Sequence, residues 1–246
     1  MKKVSEQRDT FGQEMWAFLK GGHGYEIVER DDGYIDAGPA TSEYFAEFRN
    51  WPKRQRQSMR YVHGVHALDI GGGAGRVALY LQQKGMRVTA IDSSPLAIRT
   101  CKHRGVKDAR LVAVEDMGSF PAKRFNSVIM FGNNFGLFGS RPKAKRLLRV
   151  MHGITTDGAV LLAESRDPYK TDDVAHLGYG QRNRRRGRMS GQIRIRIRFQ
   201  ASAGQWFDYL LVSPDEMRDL LEGTGWKIRR TIEDSGSLYV AVIGKA

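Results

Sequence analysis

Cysteine is almost missing from this chain of 246 residues. Only Cys101 is present, which excludes an internal disulfide and a thiolate metal cluster and agrees with a reducing compartment. Long apolar runs are missing too: none approaches the ~20 residues that a bilayer-spanning helix needs. The start, Met1-Lys2-Lys3-Val4-Ser5-Glu6, is polar where a secretory signal would carry its apolar core. These absences predict a cytoplasmic chain with no membrane span and no metal. Acids are scarce relative to bases, 27 Asp and Glu against 40 Lys and Arg, giving a net charge of +13. More than half of that charge sits between Arg182 and Arg198, a stretch of eight arginines and no acid. Such a block suits nucleic acid, an anionic small molecule or a solvated surface, and does not choose among them. Hydrophobic residues make up 41%, enough at this length for one well-buried α/β domain with an elaboration.

What is present is a glycine loop. Ala67-Leu68-Asp69-Ile70-Gly71-Gly72-Gly73-Ala74-Gly75 follows an apolar strand signal and opens a helical pattern. Glycines at alternate positions let the backbone turn sharply from strand to helix and admit a ligand where side chains would exclude it. A dinucleotide fingerprint starting at Gly71 requires a glycine at position 76, where this chain has Arg76, so NAD fits poorly. No Lys-Ser or Lys-Thr pair closes the loop, which excludes a phosphate-binding P-loop.

Alternating strand and helix signals predict a parallel sheet around this loop. Strands are expected at Val65–Ile70, Arg87–Ile91, near Ala109–Val114, at Phe125–Phe131 and at Ala159–Glu164. Helices are expected at Gly75–Lys84, Pro95–Arg104 and Lys143–Met151. Residues 1–60 read as an N-terminal helical cap or lid, with an amphipathic helix around Phe11, Met15, Trp16 and Leu19 and aromatics from Tyr44 to Trp51. Residues 61–164 are the cofactor-binding core. In 165–212 no strong helix is apparent, and Ile193, Ile195 and Ile197 alternate with Arg194, Arg196 and Arg198, the period-two pattern of a strand with one apolar and one cationic face. Its expected hairpin partner is Trp206–Val212. Residues 213–246 hold a helix opened by Ser213-Pro214-Asp215-Glu216 and two strands, Trp226–Ile232 and Leu238–Ile243. The fold class is thus α/β within a single domain.

The spacing Asp69, Gly71, Gly73, Gly75 resembles motif I of the class I S-adenosylmethionine-dependent methyltransferases, and the layout is closest to the small-molecule, quinone-type branch of that family. The resemblance covers Val65–Glu164 well. It implies a Rossmann-like, doubly wound, mostly parallel sheet ending in an antiparallel strand, with S-adenosylmethionine as cofactor. Sheets of this kind bind ligands beyond the carboxyl ends of their strands. Cofactor contacts are therefore expected from Asp69, Gly71, Gly72 and Gly73, from Asp92 and Ser93, from Asp116 and Met117, and from Phe131 and Asn133. Asp92 is placed to accept from the ribose hydroxyls, and Asp116 with Met117 is similar to the family's adenine pocket. Each has a plainer reading: Asp69 as a loop-orienting residue, Asp92 as a helix cap before Pro95, Asp116 as a solvated turn residue.

Methyl transfer from a sulfonium needs alignment more than acid–base help, so no catalytic signature is required. Glu164, His176 and Tyr34 are the candidate bases, with His23 and Tyr25 behind them. Each is as easily a surface or core residue; His63 and His66 read as structural. The loop Asn133-Asn134-Phe135-Gly136 lacks the prolines of the enzymes that methylate exocyclic base amines. Cys101 lies on a flanking helix, away from where a pyrimidine nucleophile would be, and the carboxylates of a metal-dependent catechol enzyme are incomplete. A small-molecule substrate is the first reading, an anionic one where Arg194, Arg196 and Arg198 or the Arg182–Arg188 cluster hold a carboxylate or phosphate. The second is an RNA methyltransferase or a non-catalytic nucleic-acid-binding protein that uses the arginines on phosphates. A third assigns the arginines to guarding an edge strand against aggregation.

Overall fold

A computed structural model of the chain describes residues 5–246, so the polar stretch Met1–Val4 lies outside the described residues. The elements run α1 (Thr10–Leu19), β1 (Tyr25–Arg30), β2 (Ile35–Ala40) and α2 (Lys53–Ser58), then β3 (His66–Ile70), α3 (Arg76–Gln83), β4 (Arg87–Asp92), α4 (Pro95–His103) and β5 (Ala109–Leu111). Next come β6 (Phe125–Met130), α5 (Arg141–Ile154), β7 (Thr155–Arg166), α6 (Val174–Arg185), β8 (Gln192–Phe199), β9 (Ser202–Ala203) and β10 (Phe207–Leu210). The chain finishes with α7 (Pro214–Leu221), β11 (Trp226–Glu233) and β12 (Leu238–Lys245). This is the expected α/β class, with parallel strands and an antiparallel strand pair at the end. Two compact units form. One comprises the residues up to Trp51, Val65–Asp116 and Arg194–Phe207; the other comprises Pro52–Gly64, Met117–Ile193 and Asp208–Ala246. Their boundaries cut across the four segments read from the sequence.

In the first unit β3, β4 and β5 pair in parallel, His66 to Ile70 lying beside Arg87 to Ile91. Leu68, Ile70, Val88, Ala90 and Ile91 are all buried, as strands covered on both faces require. A second sheet belongs to this unit. β1 pairs antiparallel with β2 on one side and β8 on the other, with Val28 opposite Ile197 and Glu29 opposite Arg196. Residues 1–60 are thus not a purely helical cap. The β1–β2 hairpin turns through Gly33 at φ +87°, but β2 contains Gly38 and Pro39, poor strand formers that hide it from propensity. Nor is β8 an edge strand guarded by cations, since β1 covers one of its sides and the Leu211 amide donates to the Gly191 carbonyl next to its start, as the pairing with Trp206–Val212 requires.

In the second unit β6 and β7 pair in parallel, β12 runs antiparallel to β7, and β11 antiparallel to β12. Phe125, Ile129, Leu161, Leu162, Val240 and Ile243 form its core with Leu147 and Met151 of α5 and Met217 and Leu220 of α7. The Ser213 hydroxyl accepts from the Glu216 amide while the Glu216 carboxylate accepts from the Ser213 amide, the capping box expected at the start of α7. Residues 165–212 do contain a helix. α6 is capped by Asp173, which accepts from the Ala175 and His176 amides. Gly178, Gly180 and a run of arginines leave it without a clear apolar stripe, so periodicity passes over it. Among the described residues no helix is long and apolar enough to cross a membrane.

Candidate cofactor site

In the first unit β3 ends at Ile70 and the backbone reverses through Gly71, Gly73 and Gly75 at φ +71°, +52° and +81°. These left-handed conformations suit glycine and strain other residues. A side chain at Gly75 would place its Cβ 2.7 Å from Val106 Cγ2, and one at Gly72 3.3 Å from Ala90 Cβ. The Gly71 and Gly72 amides both donate to the Ile91 carbonyl, at 2.9 and 3.0 Å, which pins the loop against the end of β4.

Asp92 completes that attachment. Its Oδ2 accepts from the Gly73 amide at 3.0 Å and its Oδ1 from the Ser94 amide at 2.9 Å. Ser94, not Asp92, caps α4, accepting from the Ala97 amide at 2.9 Å. Ser93 is half-buried between them. Burial raises the Asp92 carboxyl to about 6, with the neighbouring Asp9 charge adding to the effect against the Ser94 and Gly73 amides. Asp69 is buried, its Oδ2 has no partner, and its carboxyl is pushed up to about 7, chiefly by burial and also by Asp92, against the pull of Arg76. A folded acid that holds its proton above the unfolded value of about 3.9 loses stability as pH rises between the two values, because the folded state binds more protons there. Asp69→Asn should therefore flatten the fall in unfolding free energy between pH 5 and pH 8 in denaturant titrations at fixed ionic strength. A slope equal to wild type would place an ionised Asp69 in the fold throughout.

The N-terminal helix reaches this loop. Asp9 accepts from Ser94 Oγ at 2.7 Å, the Leu96 amide at 2.9 Å and the Gly12 amide at 3.0 Å, so one buried carboxylate ties α1 to the start of α4. Phe11 and Tyr44 pack edge to face, centroids 5.5 Å apart, and each has a ring carbon 3.8 Å from where a Cβ on Gly73 would stand. Cys101 Sγ donates to the Gly73 carbonyl at 3.2 Å, and Arg104 Nη1 to the Ala74 carbonyl at 2.5 Å. Asp116 is exposed on a 3-10 turn at the end of this unit. Tyr34 lies under the Arg30 guanidinium at 4.7 Å, while Tyr25 and His23 are exposed. Asp9 and Arg104 carried no recognisable signal, since their roles depend on which amides and carbonyls the fold brings to them.

Other expected residues belong to the second unit, where Glu164 and Asn133 meet. This carboxylate is 1% exposed. Its Oε1 accepts from Arg54 Nε at 2.6 Å, and its Oε2 accepts from Gln55 Nε2 at 2.8 Å and from the Gly132 and Asn133 amides at 2.5 and 3.2 Å. Arg54 also donates through Nη1 to Asp234 at 3.0 Å. Asn133 is left-handed at φ +63°, its carbonyl accepts from the Tyr209 hydroxyl at 2.6 Å, and its Oδ1 is buried without a partner. Phe131 and Met117 are buried. His176 is on α6, in its first turn. His63 bonds the Tyr61 and Gly158 carbonyls through its ring, while His66, in the first unit, bonds Thr89. Among the described residues no group of three or more His, Cys, Asp or Glu is arranged to hold a metal ion.

Residues 67–158 match a family model described as a methyltransferase domain. Over its full length the chain resembles a SAM-dependent methyltransferase from Bacteroides fragilis, solved in complex with S-adenosyl-L-homocysteine. Identity is 26%, coverage is 100% of this chain and 98% of that one, and the TM-score is 0.84. A SAM-dependent methyltransferase from Methanosarcina mazei shares the fold at 18% identity, covering 77% of this chain and 96% of that one, TM-score 0.62. The ubiquinone biosynthesis O-methyltransferase of Methylocella silvestris is 36% identical over 81 residues, a match spanning 31% of this chain and 31% of that relative. A loop of left-handed glycines held by a carboxylate at the next strand end fits the cofactor named for the two solved structures. The chain therefore carries an S-adenosylmethionine-dependent methyltransferase domain of Rossmann-like fold.

Proposed function

We propose that this protein transfers the methyl group of S-adenosylmethionine to a small-molecule acceptor. The observation that carries the reading is the loop Gly71–Gly75, left-handed at three alternate glycines, anchored by Asp92 and capped by the Phe11–Tyr44 pair. Gly71, Gly72, Gly73, Asp92 and Ser93 are the residues assigned to hold the cofactor, with Asp69 orienting the loop. Asp116 is assigned a further contact within the same unit. The cofactor supplies an electrophilic methyl group on a sulfonium, and the chain's part is to align an acceptor and exclude water. Glu164 is given a positioning role, because four of the chain's own donors already fill its acceptor sites.

Four of the eight arginines have partners within the chain, which favours a small molecule over a nucleic acid, while Arg185, Arg186, Arg188 and Arg194 are exposed. Arg196 and Arg198 both donate to Glu29, Arg184 donates to Ser190 Oγ, and Arg182 stacks on Tyr179 at 5.3 Å. Guanidinium groups with internal partners are poor phosphate trackers. The partial likeness to a quinone-pathway O-methyltransferase points the same way. The test is transfer of labelled methyl from S-adenosylmethionine into a cell extract, with the Asp92→Ala variant as blank. Label in small molecules is the expected result. Label confined to nuclease-sensitive material would replace this reading with an RNA methyltransferase.

A further inference from the structure

The first unit buries two acids at positions where apolar residues belong. Glu14 lies on the buried side of α1 with Thr10 and Met15, and is 1% exposed. Glu26 lies on the face of β1 that also carries Val28 and Arg30, opposite in the alternation to Glu29, and is 9% exposed. Buried carboxylates are uncommon unless paired with a cation. Among the described residues neither is in contact with a lysine or arginine, and the charges that act on Glu26 are those of Glu14 and Asp36, which repel it.

Their partners are hydroxyls. Glu14 Oε1 lies 2.5 Å from Thr41 Oγ1, and Thr41 Oγ1 lies 2.7 Å from the Gly24 carbonyl. One hydroxyl has one proton, so it serves both neighbours only if Glu14 supplies a proton of its own. Burial raises the Glu14 carboxyl in keeping with this, and Glu26 rises to about 7 for the same first reason. The Tyr44 hydroxyl donates to Glu26 Oε2. Two polar atoms on this side of α1 are buried without any partner: Glu14 Oε2 and, one turn earlier, Thr10 Oγ1. Leaving such atoms unsatisfied is costly, and each retained one calls for an explanation. The cluster also adjoins the cofactor loop, because the Tyr44 ring faces Gly73, a ring carbon lying 3.8 Å from where a Cβ would stand, while its hydroxyl donates to Glu26.

We propose that Glu14 and Glu26, with Thr41 and Tyr44, form a recognition site for a protonated amine on the methyl acceptor. An ammonium group brings several donors and a full positive charge, which together satisfy Glu14 Oε2 and balance the one carboxylate charge that the pair carries while Glu14 keeps its proton. An anion or a neutral ring would do neither. A metal ion is poorly served, since among the described residues no third carboxylate, histidine or thiol completes the set.

This inference rests on the proposed small-molecule methyl transfer. Labelled product from the extract assay is passed over cation and anion exchangers near pH 6, and kcat/KM for its formation is measured for wild type, Glu14→Gln, Glu26→Gln and a control, Glu29→Gln, on the opposite face of β1. Cofactor affinity is measured alongside by calorimetry with S-adenosylhomocysteine. The expected product is held by the cation exchanger, and kcat/KM falls roughly 10- to 100-fold in the Glu14 and Glu26 variants, the range for a lost charge-assisted hydrogen bond. Cofactor affinity and the control stay within about twofold of wild type on that same scale. A labelled product that passes the cation exchanger, unchanged kcat/KM in both variants, or an equal loss of cofactor affinity overturns the amine site. Absence of label from every small molecule overturns the proposed function instead. Should a glutamine variant not fold, the charge of the wild-type product decides.

Discussion

Asp92→Ala should weaken S-adenosylhomocysteine binding by at least about 100-fold, the equivalent of two lost hydrogen bonds to a charged group. The wild-type carboxylate accepts from two buried amides, those of Gly73 and Ser94, and so holds the third position of the glycine loop against the start of α4. Alanine leaves both amides without an acceptor and removes the fixed acceptor assigned to the ribose. Asp92→Asn keeps the shape and one carbonyl oxygen, and should fall between the two proteins. Because burial raises the Asp92 carboxyl to about 6, wild-type affinity should also climb as pH rises through that value, the ionised form being the better acceptor. Titration calorimetry at pH 5, 6 and 7.5 measures both effects. An alanine variant within about threefold of wild type, less than the loss of one such bond, would sink the assignment of this loop as the cofactor site.

Glu164→Ala should cost about 3 to 5 kcal/mol, because removing one partner of a buried ion pair strands the other. Arg54 would keep Asp234 but lose its link to β7, and the Gly132 and Asn133 amides and Gln55 Nε2 would lose their acceptor. For a chain of this size the melting temperature should drop by roughly 10 °C. Glu164→Gln retains an acceptor oxygen and should lose less. The melts separate two roles for this residue. A positioning carboxylate gives large stability losses with activity falling in step, whereas a general base gives a glutamine variant that melts like wild type and turns over poorly. A normal melting temperature in the alanine variant would contradict the network described around Glu164.

The sequence by itself determined the alternation from β3 to β7, the glycine loop, the capping box at Ser213 and the terminal strand pair. Each of these is a local signal: glycines needing φ above zero, a serine three residues from a glutamate, apolar runs of strand length. It also placed Asp92 at a strand end, since spacing from the loop is a property of the chain. The partners of Asp92 were not legible, because which amides reach a carboxylate depends on how β4, the loop and α4 come together. The tertiary structure alone decided that β2 is a strand, since Gly38 and Pro39 argue against it until β1 pairs with it. It alone showed that Glu29 pairs with both Arg196 and Arg198 across 167 and 169 residues of sequence, so that one acid engages two of the arginines read as an anion site and offsets one of their two charges. Glu14 and Glu26 look like ordinary surface acids in the sequence. Only the packing of α1 and β1 removes them from water, and burial is a property that no single segment of the chain possesses.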